Sequence, residues 1–374
     1  MTKFNKQLYL PLSIVLLTIL NACSSTSHPE KWMTQNKNKI IDTHISNIKI
    51  PGSYRANSYN ITGQESLCLG ELTNYNNEQS NSYKMIKLSE SNAQLTLESA
   101  LLYINHQDKD IFNQLMGGMR YLDLLVCYQD GTFYTSNYYL TSQLTKIDKQ
   151  IDKFLHDYPY EIVIINLDKV WDKDGYINEE NSKLLINQLE HDFGNRIILN
   201  TTEALTFRNV WKNKQNILIM SDNPHLYDSE LIWDSNKLIE LQTQPEFATI
   251  KKLTNIQLGI EKLTSLNESY NLNKLNIFPV YTKFDAEVNT PEELQHSQFN
   301  RELIIDYLYS LPESNPINII VSDKYLETEL AEYAMNQFQA TASPDFKKPK
   351  KTTTTNTQSI SSPKNPSQVI ESEI

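Results

Sequence analysis

The sequence predicts an α/β fold, arranged as an irregular TIM-type (β/α) barrel in a single domain. Short apolar runs, typical of strands buried on both faces, alternate with longer segments of helical periodicity. This alternation continues from residue 32 to residue 340 without a second composition regime, which favours one barrel over two domains. The chain shows no internal repeat of roughly 20 to 50 residues.

The individual elements follow from these periodicities. Apolar runs predict strands at residues 47–50, 121–127, 161–167, 196–199, 216–221, 277–281 and 317–322. Helical spacing predicts helices at residues 110–116, 142–156, 180–191, 205–212, 247–263, 300–311 and 327–339. Residues 341–374 are rich in Thr, Ser, Pro and Lys and have almost no aromatic content, so we predict a disordered, mildly basic tail.

The composition excludes several classes of protein. The chain has 374 residues, of which 39% are hydrophobic and only nine are glycine. These glycines never stand in the G-x-G-x-x-G or G-x-x-x-x-G-K-S/T spacings, so dinucleotide-binding and P-loop proteins are excluded. The seven histidines and three cysteines form no H-E-x-x-H or C-x-x-C pair, so the sequence predicts no local zinc site and no cofactor.

The beginning of the chain predicts export and lipid anchoring. Lys3 and Lys6 precede an apolar run at residues 8–20, which is too short to span a bilayer and has the form of a signal peptide. The run ends in Leu-Asn-Ala-Cys, which resembles the lipobox of bacterial lipoproteins and implies acylation of Cys23. Simple cleavage after residue 22 is the alternative, but it leaves this cysteine unexplained. We therefore expect a signal peptide (residues 1–22), an anchored tether (23–31) and the barrel (32–340).

Charge and cysteine content bear on the partners and on the disulfide state of the exported chain. Cleavage before Cys23 removes two lysines and changes the formal charge from −11 to −13, which argues against a nucleic-acid partner. Ser24 follows the acylated position, and the lipoprotein resemblance then implies the bacterial outer membrane. Cys68 and Cys127 are an even pair that could form a disulfide, or they could be two buried thiols.

Five motifs follow the predicted strands and helices, and active sites of barrels lie where strands end. They are IPGSYRA (50–56), GMRYLDL (118–124), DGTFYTSN (130–137), FLHDYPYEIVI (154–164) and NIIVSD (318–323). Their order and spacing resemble the X domain of phosphatidylinositol-specific phospholipase C. The pattern of that family runs I-P-G-S/T-H-D/N, G-V/I-R-Y/F-L/F-D-L/I-R, a histidine after D-G, F-L-x-x-x-P-x-E and a late N-I-I with aspartate. The resemblance spans nearly all of residues 32–340 and implies an irregular TIM-type barrel.

The resemblance also implies a reaction that two histidines perform. One removes the proton of the inositol 2-hydroxyl, and the other protonates the departing diacylglycerol. Here Tyr54 stands at the first histidine position and Asn137 at the second. A phenol with a pKa of about 10 is a poor base at neutral pH, and a carboxamide does not exchange a proton. The sequence therefore predicts that both acid–base groups are lost.

Other positions of the pattern have changed too. Arg55 stands where the family has aspartate or asparagine. Leu125 replaces the arginine that steadies the phosphate, and in calcium-dependent relatives an acidic ligand stands there, so a metal route is broken as well. Asp123 and Asp323 retain the two carboxylates of the pattern. Both also have structural interpretations. Asp123 could be an ion-pair partner of Arg120 or Arg55, and Asp323 could accept a hydrogen bond from a loop amide.

Two functions therefore remain open, with a scaffold for an envelope protein as a third. The first is an anchored barrel without the family reaction that binds an anionic headgroup, a sugar phosphate or a partner protein, with Arg55 favouring an anion. The alternative is an active phosphoric diester hydrolase that uses displaced residues, among them Asp222 and His225, with Ca²⁺ or Mg²⁺ only in that case. The predicted partners are the membrane, through acylated Cys23, and an anionic lipid headgroup, a sugar phosphate or an envelope protein.

Overall fold

The computed structural model describes residues 28–74, 101, 104–202, 204–235, 239–240, 276–279, 305–306, 308–311, 317–324 and 327–338. The signal peptide, Cys23, the helix predicted at 247–263 and the tail at 341–374 lie outside the described residues, and their predictions stand as made. The described residues belong to one compact unit that ends at Phe338. Within them, no helix has the length and hydrophobicity to cross a membrane.

The described elements are strands, α-helices and short 3-10 turns. The strands are β1 (Ile50–Ser53), β2 (Tyr121–Gln129), β3 (Thr132–Asn137), β4 (Tyr139–Gln143), β5 (Val163–Asp172), β6 (Gly175–Tyr176), β7 (Ile217–Ser221), β8 (Ile232–Asp234), β9 (Ile239–Glu240), β10 (Asn276–Pro279) and β11 (Ile319–Ser322). The helices are α1 (Trp32–Gln35), α2 (Lys37–Ile40), α3 (Leu69–Asn74), α4 (Ile111–Met116), α5 (Leu144–Asp157), α6 (Glu179–Phe193), α7 (Phe207–Lys212), α8 (Pro224–Tyr227) and α9 (Glu327–Asn336).

Eight parallel strands form the wall of the barrel, in the order β8-β7-β5-β2-β1-β11-β10-β9. The first strand in the chain pairs with both the second and the last, since Gly52 lies opposite Tyr121 on one side and Val321 on the other. Among the described residues no pairing joins β8 to β9, so the barrel is irregular at that point. The architecture is the single α/β barrel that the periodicity predicts.

Side chains alternate between the outer helices and the interior of the barrel because successive residues of a strand face opposite sides. On β2, Leu122 and Leu124 pack outward in the same core cluster as Ile147 and Ile151 of α5. Tyr121 belongs instead to a second, interior cluster, which also contains Ile50, Ile164, Leu218, Ile319 and Val321. Asp123 falls on this interior face, two residues closer to the carboxyl end.

A buried ion pair fixes the chain across the amino end of the barrel. Arg120 and Glu161 precede β2 and β5 and are fully buried, with Nη2 of Arg120 2.8 Å from Oε2 of Glu161. The remaining carboxylate contacts are with α1, where the amide of Thr34 donates to Oε1 at 2.8 Å. Every charge of the pair is thus hydrogen-bonded, as a buried pair requires. Arg120 is therefore not the partner of Asp123 that one interpretation of the sequence allowed.

The structure corrects the boundaries of some predicted strands. The strand predicted at 47–50 is wrong, because Ile45–Asn47 form a 3-10 turn and β1 begins only at Ile50. Pro51 and Gly52 lie inside β1, although they usually end strands. The carbonyl of Pro51 accepts a hydrogen bond from the amide of Arg120 at 2.9 Å, and a Cβ at Gly52 would lie only 2.8 Å from the Tyr121 side chain. At 196–199, Ile197 forms only an isolated bridge to Ile217.

Three antiparallel strands that the periodicity did not predict extend the sheet beyond the wall. β3 and β4 form a hairpin on the carboxyl end of β2, and β6 pairs with the end of β5. A disulfide bond joins Cys68, in front of α3, to Cys127 of β2. The amide of Cys68 also donates to the carbonyl of Tyr138 at 2.8 Å, so the segment before α3 is held across the hairpin.

Candidate functional site

The structure brings the predicted site residues to the carboxyl ends of the parallel strands. Tyr54 and Arg55 follow β1, Asp123 lies in β2, and Asp323 follows β11. Asn166 and Asp168 of the neighbouring strand β5 join them. We call the group formed by Tyr54, Arg55, Asp123, Asn166 and Asp168 at this end of the barrel the mouth.

Arg55 is bound between two carboxylates in the mouth. Its Nη1 lies 2.6 Å from Oδ2 of Asp168 and 3.5 Å from Oδ2 of Asp123. Its backbone amide donates to the same oxygen of Asp123 at 3.3 Å. The backbone of Arg55 has a φ of +46°, a left-handed conformation that is uncommon for side-chain-bearing residues. The amide of Arg55 thus donates to Asp123, while its guanidinium donates to Asp168.

The two carboxylates around Arg55 differ in their tendency to ionise. Burial raises the pKa of Asp123 to about 6, against the opposing attraction of Arg55. Burial acts in the same direction on Asp168, but the attraction of Arg55 and then of Lys169 outweighs it and lowers the pKa of that carboxyl. Near pH 6, Asp123 is thus the group of this pair that exchanges a proton.

The ion pairs continue from the mouth towards β7. Nζ of Lys169 lies 3.9 Å from Oδ1 of Asp168 and is bonded to Oδ2 of Asp222, which follows β7. Three carboxylates thus alternate with two cations, Arg55 and Lys169. The positive charge of Arg55, which the sequence predicts as an anion site, is already balanced by side chains of the protein.

Asn166 provides an acceptor on the wall of the mouth. Its Nδ2 donates to Oδ1 of Asp123 at 3.2 Å. Its own Oδ1 is buried and has no hydrogen-bond partner among the described residues. A buried carbonyl oxygen without a donor is costly, so this atom suits a hydroxyl or amine of a ligand, or a water molecule.

Tyr54 is packed between charged and aromatic neighbours. The ring of His106 meets it edge-on, with the ring centroids 4.8 Å apart, and the guanidinium carbon of Arg55 lies 4.9 Å from the Tyr54 centroid. Nε2 of Gln107 donates to the carbonyl of Tyr54 at 2.6 Å. Burial raises the pKa of the Tyr54 hydroxyl above its ordinary value, which lowers the fraction of phenolate that could act as a base at neutral pH.

Asn137 has a structural contact at the end of β3. Its Nδ2 donates to the carbonyl of Ile104 at 2.8 Å, and the residue is buried. Glu71 of α3 binds the backbone beside it, accepting from the amide of Tyr138 at 2.8 Å and from the hydroxyl of Ser136 at 3.3 Å. Burial raises the pKa of Glu71 to about 7.

The other predicted residues have these surroundings. Leu125 is buried, and its amide donates to Oδ1 of Asn57 at 3.3 Å. Asp323 is also buried, directly after β11. His225 is exposed at the start of α8 and lies near Glu179 of α6, whose pKa it helps to lower after Lys183. Asp222 binds Lys169, so Asp222 and His225, the displaced residues of the alternative function, make different contacts.

Five residues of the site were not predicted from the sequence. Asn166 lies within the apolar run at 161–167, Asp168 and Lys169 stand in the continuation of β5 beyond it, and the alternation of polar residues there is the signal that would have found them. His106 and Glu71 lie in segments without a readable period. Among the described residues, no group of three or more His, Cys, Asp or Glu side chains is arranged to hold a metal ion.

Comparisons with known proteins agree with the motif resemblance. No protein-family model matches the chain. Over 214 residues, 55% of the chain, it is 24% identical to PI-PLC X domain-containing protein 2 of Mus musculus and of Homo sapiens. These alignments span 58% and 64% of the two relatives, so the chain covers less than two thirds of either one.

Solved structures show the fold. The chain is similar to a phosphatidylinositol-specific phospholipase C from Listeria monocytogenes, with a TM-score of 0.53 and 16% identity over 83% of this chain and 99% of that one. A Staphylococcus aureus phosphatidylinositol-specific phospholipase C gives a TM-score of 0.55 and 14% identity over 82% and 97%. The predicted resemblance to this family and the predicted TIM-type barrel are confirmed.

Proposed function

From the similarity of this chain to the phosphatidylinositol-specific phospholipase C X-domain family, we propose that it is a lipid-anchored envelope protein that lacks the family reaction. In its place, the mouth binds a polar ligand. The observation that carries the proposal is the Arg55 guanidinium, which is bound between Asp123 and Asp168 where the family pattern has a short acidic or amide side chain.

The residues at the two histidine positions support the loss of the reaction. Tyr54 has its pKa raised by burial, so the fraction of phenolate at neutral pH is negligible. Asn137 uses its amide to hold the carbonyl of Ile104, and an amide neither donates nor accepts a proton in catalysis. Leu125 offers no donor to a phosphate. Each substitution removes a different part of the family chemistry.

The polar groups of the mouth favour a ligand that both donates and accepts hydrogen bonds. The carboxylate of Asp123 accepts and the guanidinium of Arg55 donates, and behind them Oδ1 of Asn166 is a buried acceptor that lacks a donor among the described residues. A phosphorylated polyol, such as a lipid headgroup or a sugar phosphate, combines hydroxyl donors with an anionic acceptor. Its anion has to share Arg55 with Asp168, which favours modest affinity. The other kind of ligand that we propose for the mouth is a partner protein.

Anchoring and location are part of the proposal. The lipobox-like end of the apolar run supports acylation at Cys23, and two or three acyl chains hold a protein stably on a membrane. Ser24 supports the outer membrane. The acidic mature chain supports a ligand other than nucleic acid.

One assay tests the loss of the reaction. The purified full-length mature chain is incubated with phosphatidylinositol, with and without Ca²⁺ or Mg²⁺, and cyclic inositol phosphate is measured by phosphorus NMR. We expect no turnover, together with saturable binding of glycerophosphoinositol that Arg55→Ala weakens. Turnover that Asp323→Ala abolishes would contradict the proposal.

A second function has one observation in its favour. The imidazole of His106 packs on Tyr54, so a histidine side chain lies beside the position of the lost histidine. An active phosphoric diester hydrolase with displaced residues would use it. The same assay decides, since turnover lost in His106→Ala and kept in His225→Ala would favour this alternative.

A further inference from the structure

The described chain starts at the end of the barrel opposite the mouth. Nη2 of Arg120, at the amino end of β2, donates to the carbonyls of Pro29 and Glu30, each at 3.0 Å. The indole of Trp32 is fully buried and donates to the carbonyl of Gly118 at 3.0 Å. The beginning of the domain is therefore part of the amino end of the barrel.

Residues 29–34 are held by several hydrogen bonds to the buried pair Arg120 and Glu161. Thr34 donates to Glu161 through both its amide and its hydroxyl, at 2.8 and 2.7 Å. Glu161 and Arg120 are fully buried partners of each other. Pulling residues 29–34 away would remove two carbonyl acceptors from Nη2 of Arg120 and the Thr34 donors from Glu161, which is costly for two buried charges, so the segment stays in place while the domain is folded.

The proposed anchor is too close to this face to reach the mouth. Five residue steps separate Cys23 from His28, and a fully extended chain covers ~18 Å in five steps. From Glu161, just before β5, to Asp168 the chain advances about 23 Å along the strand direction, which is about 19 Å along the barrel axis at a strand tilt of about 36°. A tether on the outside would also have to pass the helices around the wall, each about 10 Å across. It therefore cannot place the lipid beyond the mouth.

We propose that the mouth faces away from the bilayer that holds Cys23, and that it binds a phosphorylated polyol from the opposite side. This inference rests on the proposed anchor. The ligand is then either dissolved or carried by a facing surface, and a headgroup of the anchoring bilayer does not enter. The orientation of the anchored protein thus excludes headgroups of its own bilayer, even when their chemistry fits the mouth.

Energy transfer to labelled lipid tests the orientation. An azide-bearing residue replaces exposed Asn38, in α2 beside the amino end, or exposed Lys173, in the turn between β5 and β6 near the mouth, and carries the donor dye. The lipidated protein is bound to vesicles that contain acceptor-labelled phosphatidylethanolamine. We expect at least twofold greater transfer efficiency from position 38. Equal transfer, or greater transfer from position 173, would overturn the proposal.

Two further arms separate the orientation from the anchor. If the mature protein lacks acyl chains and does not float with vesicles, the anchor proposal fails, and a maleimide lipid attached to Cys23 then tests the geometry alone. A flexible insert of about 20 residues between Ser27 and His28 should remove the difference between the two labels. An unchanged difference would show that the tether length does not set the orientation.

Binding arms identify the source of the ligand. The anchored protein is offered glycerophosphoinositol in solution, phosphatidylinositol in its own vesicles, or phosphatidylinositol in separate vesicles. We expect the anchored protein to bind the soluble compound, or to cluster with the separate vesicles, and not to bind phosphatidylinositol of its own vesicle. Binding of lipid from the same vesicle, lost in Arg55→Ala, would overturn the inference.

Discussion

Arg55 and Asp123 set the charge of the mouth at the scale of single residues. With Asp123, Asp168 and Asp222 ionised, the two cations Arg55 and Lys169 leave a net charge of one negative on these five side chains. Because burial raises the pKa of Asp123 to about 6, this negative charge disappears within a mildly acidic range. Asp168 stays ionised there, since its pKa is lowered. The affinity for an anion should therefore depend on pH through Asp123.

We expect glycerophosphoinositol to bind more tightly as the pH falls through about 6. Protonation of Asp123 removes a repulsive charge and leaves Arg55 paired with Asp168 alone. The loss of one repulsive charge supports an increase in affinity of several-fold, up to about tenfold, between pH 7.5 and 5. The ligand is a phosphodiester and does not itself titrate in this range. Titration calorimetry at several pH values measures the effect.

Asp123→Asn is the matched control for this prediction. It keeps an acceptor for the amide of Arg55 and removes the titrating proton, so binding should stay at its acidic value throughout. A pH dependence that persists in Asp123→Asn would assign the titration to another group, such as Glu71, whose pKa burial raises to about 7.

The segment from β1 to α3 fixes the edge of the mouth at the scale of elements. Nδ2 of Asn57 donates to the carbonyl of Ser136 at 2.7 Å, the amide of Leu140 donates to the carbonyl of Ser66 at 2.8 Å, and the disulfide closes the same contact. Gly70 approaches β5 so closely that a Cβ there would lie 1.6 Å from the carbonyl oxygen of Asp172. This segment therefore holds the hairpin that carries Asn137.

Removal of the disulfide should lower the free energy of unfolding by about 2 to 4 kcal/mol. The bond closes a loop with a sequence separation of 59, which restricts the unfolded chain strongly. The double variant Cys68→Ala/Cys127→Ala tests this in urea denaturation, with the wild type in reducing and oxidising buffer for comparison. An unchanged midpoint in the double variant would contradict the prediction.

The buried pair at the amino end should be the other large contribution. Arg120→Met leaves Glu161 buried without its cation, and we expect a loss of about 3 to 5 kcal/mol in the free energy of unfolding. Adding Glu161→Leu should restore part of it, because the uncompensated charge is gone. If the double variant is as unstable as the single one, the bonds of Arg120 to the carbonyls of residues 29 and 30 dominate instead.

At the scale of the whole molecule, the barrel was predictable because its strands are buried on both faces. Continuous apolar runs located β2, β5, β7 and β11, and the helices between them kept a readable period. β1 was misplaced by three residues because Pro51 and Gly52 look like a strand end. The hairpin β3–β4 was missed because Tyr138 turns the chain with a φ of +61° where a glycine would be expected.

The candidate site was predictable in part. The motif order placed Tyr54, Asp123, Asn137 and Asp323 at one end of the barrel, where the structure has them. The pairing of Arg55 with Asp168 could not be predicted, since it joins residues 113 positions apart through the register of two strands. The same limit applies to His106, which reaches the Tyr54 ring from a loop.

The arrangement of the whole mouth makes a last prediction about restoring the family reaction. The triple variant Tyr54→His/Leu125→Arg/Asn137→His carries the two imidazoles and the arginine of the pattern, yet we expect it to form no cyclic inositol phosphate. Arg55 would still engage both Asp123 and Asp168, and a new arginine at position 125 would enter a buried position of β2 whose register partner in β5 is another cation, Lys169.

A fourth change, Arg55→Asn, should make the reaction detectable because it releases Asp123 and Asp168 to the restored groups. Phosphorus NMR of phosphatidylinositol micelles measures the product, with circular dichroism to establish that each variant is folded. Turnover by the triple variant would show that Arg55 does not block the reaction. Silence of the folded quadruple variant would place the obstacle further along the ion pairs, at Lys169 and Asp222, and Lys169→Ala in that background tests this directly.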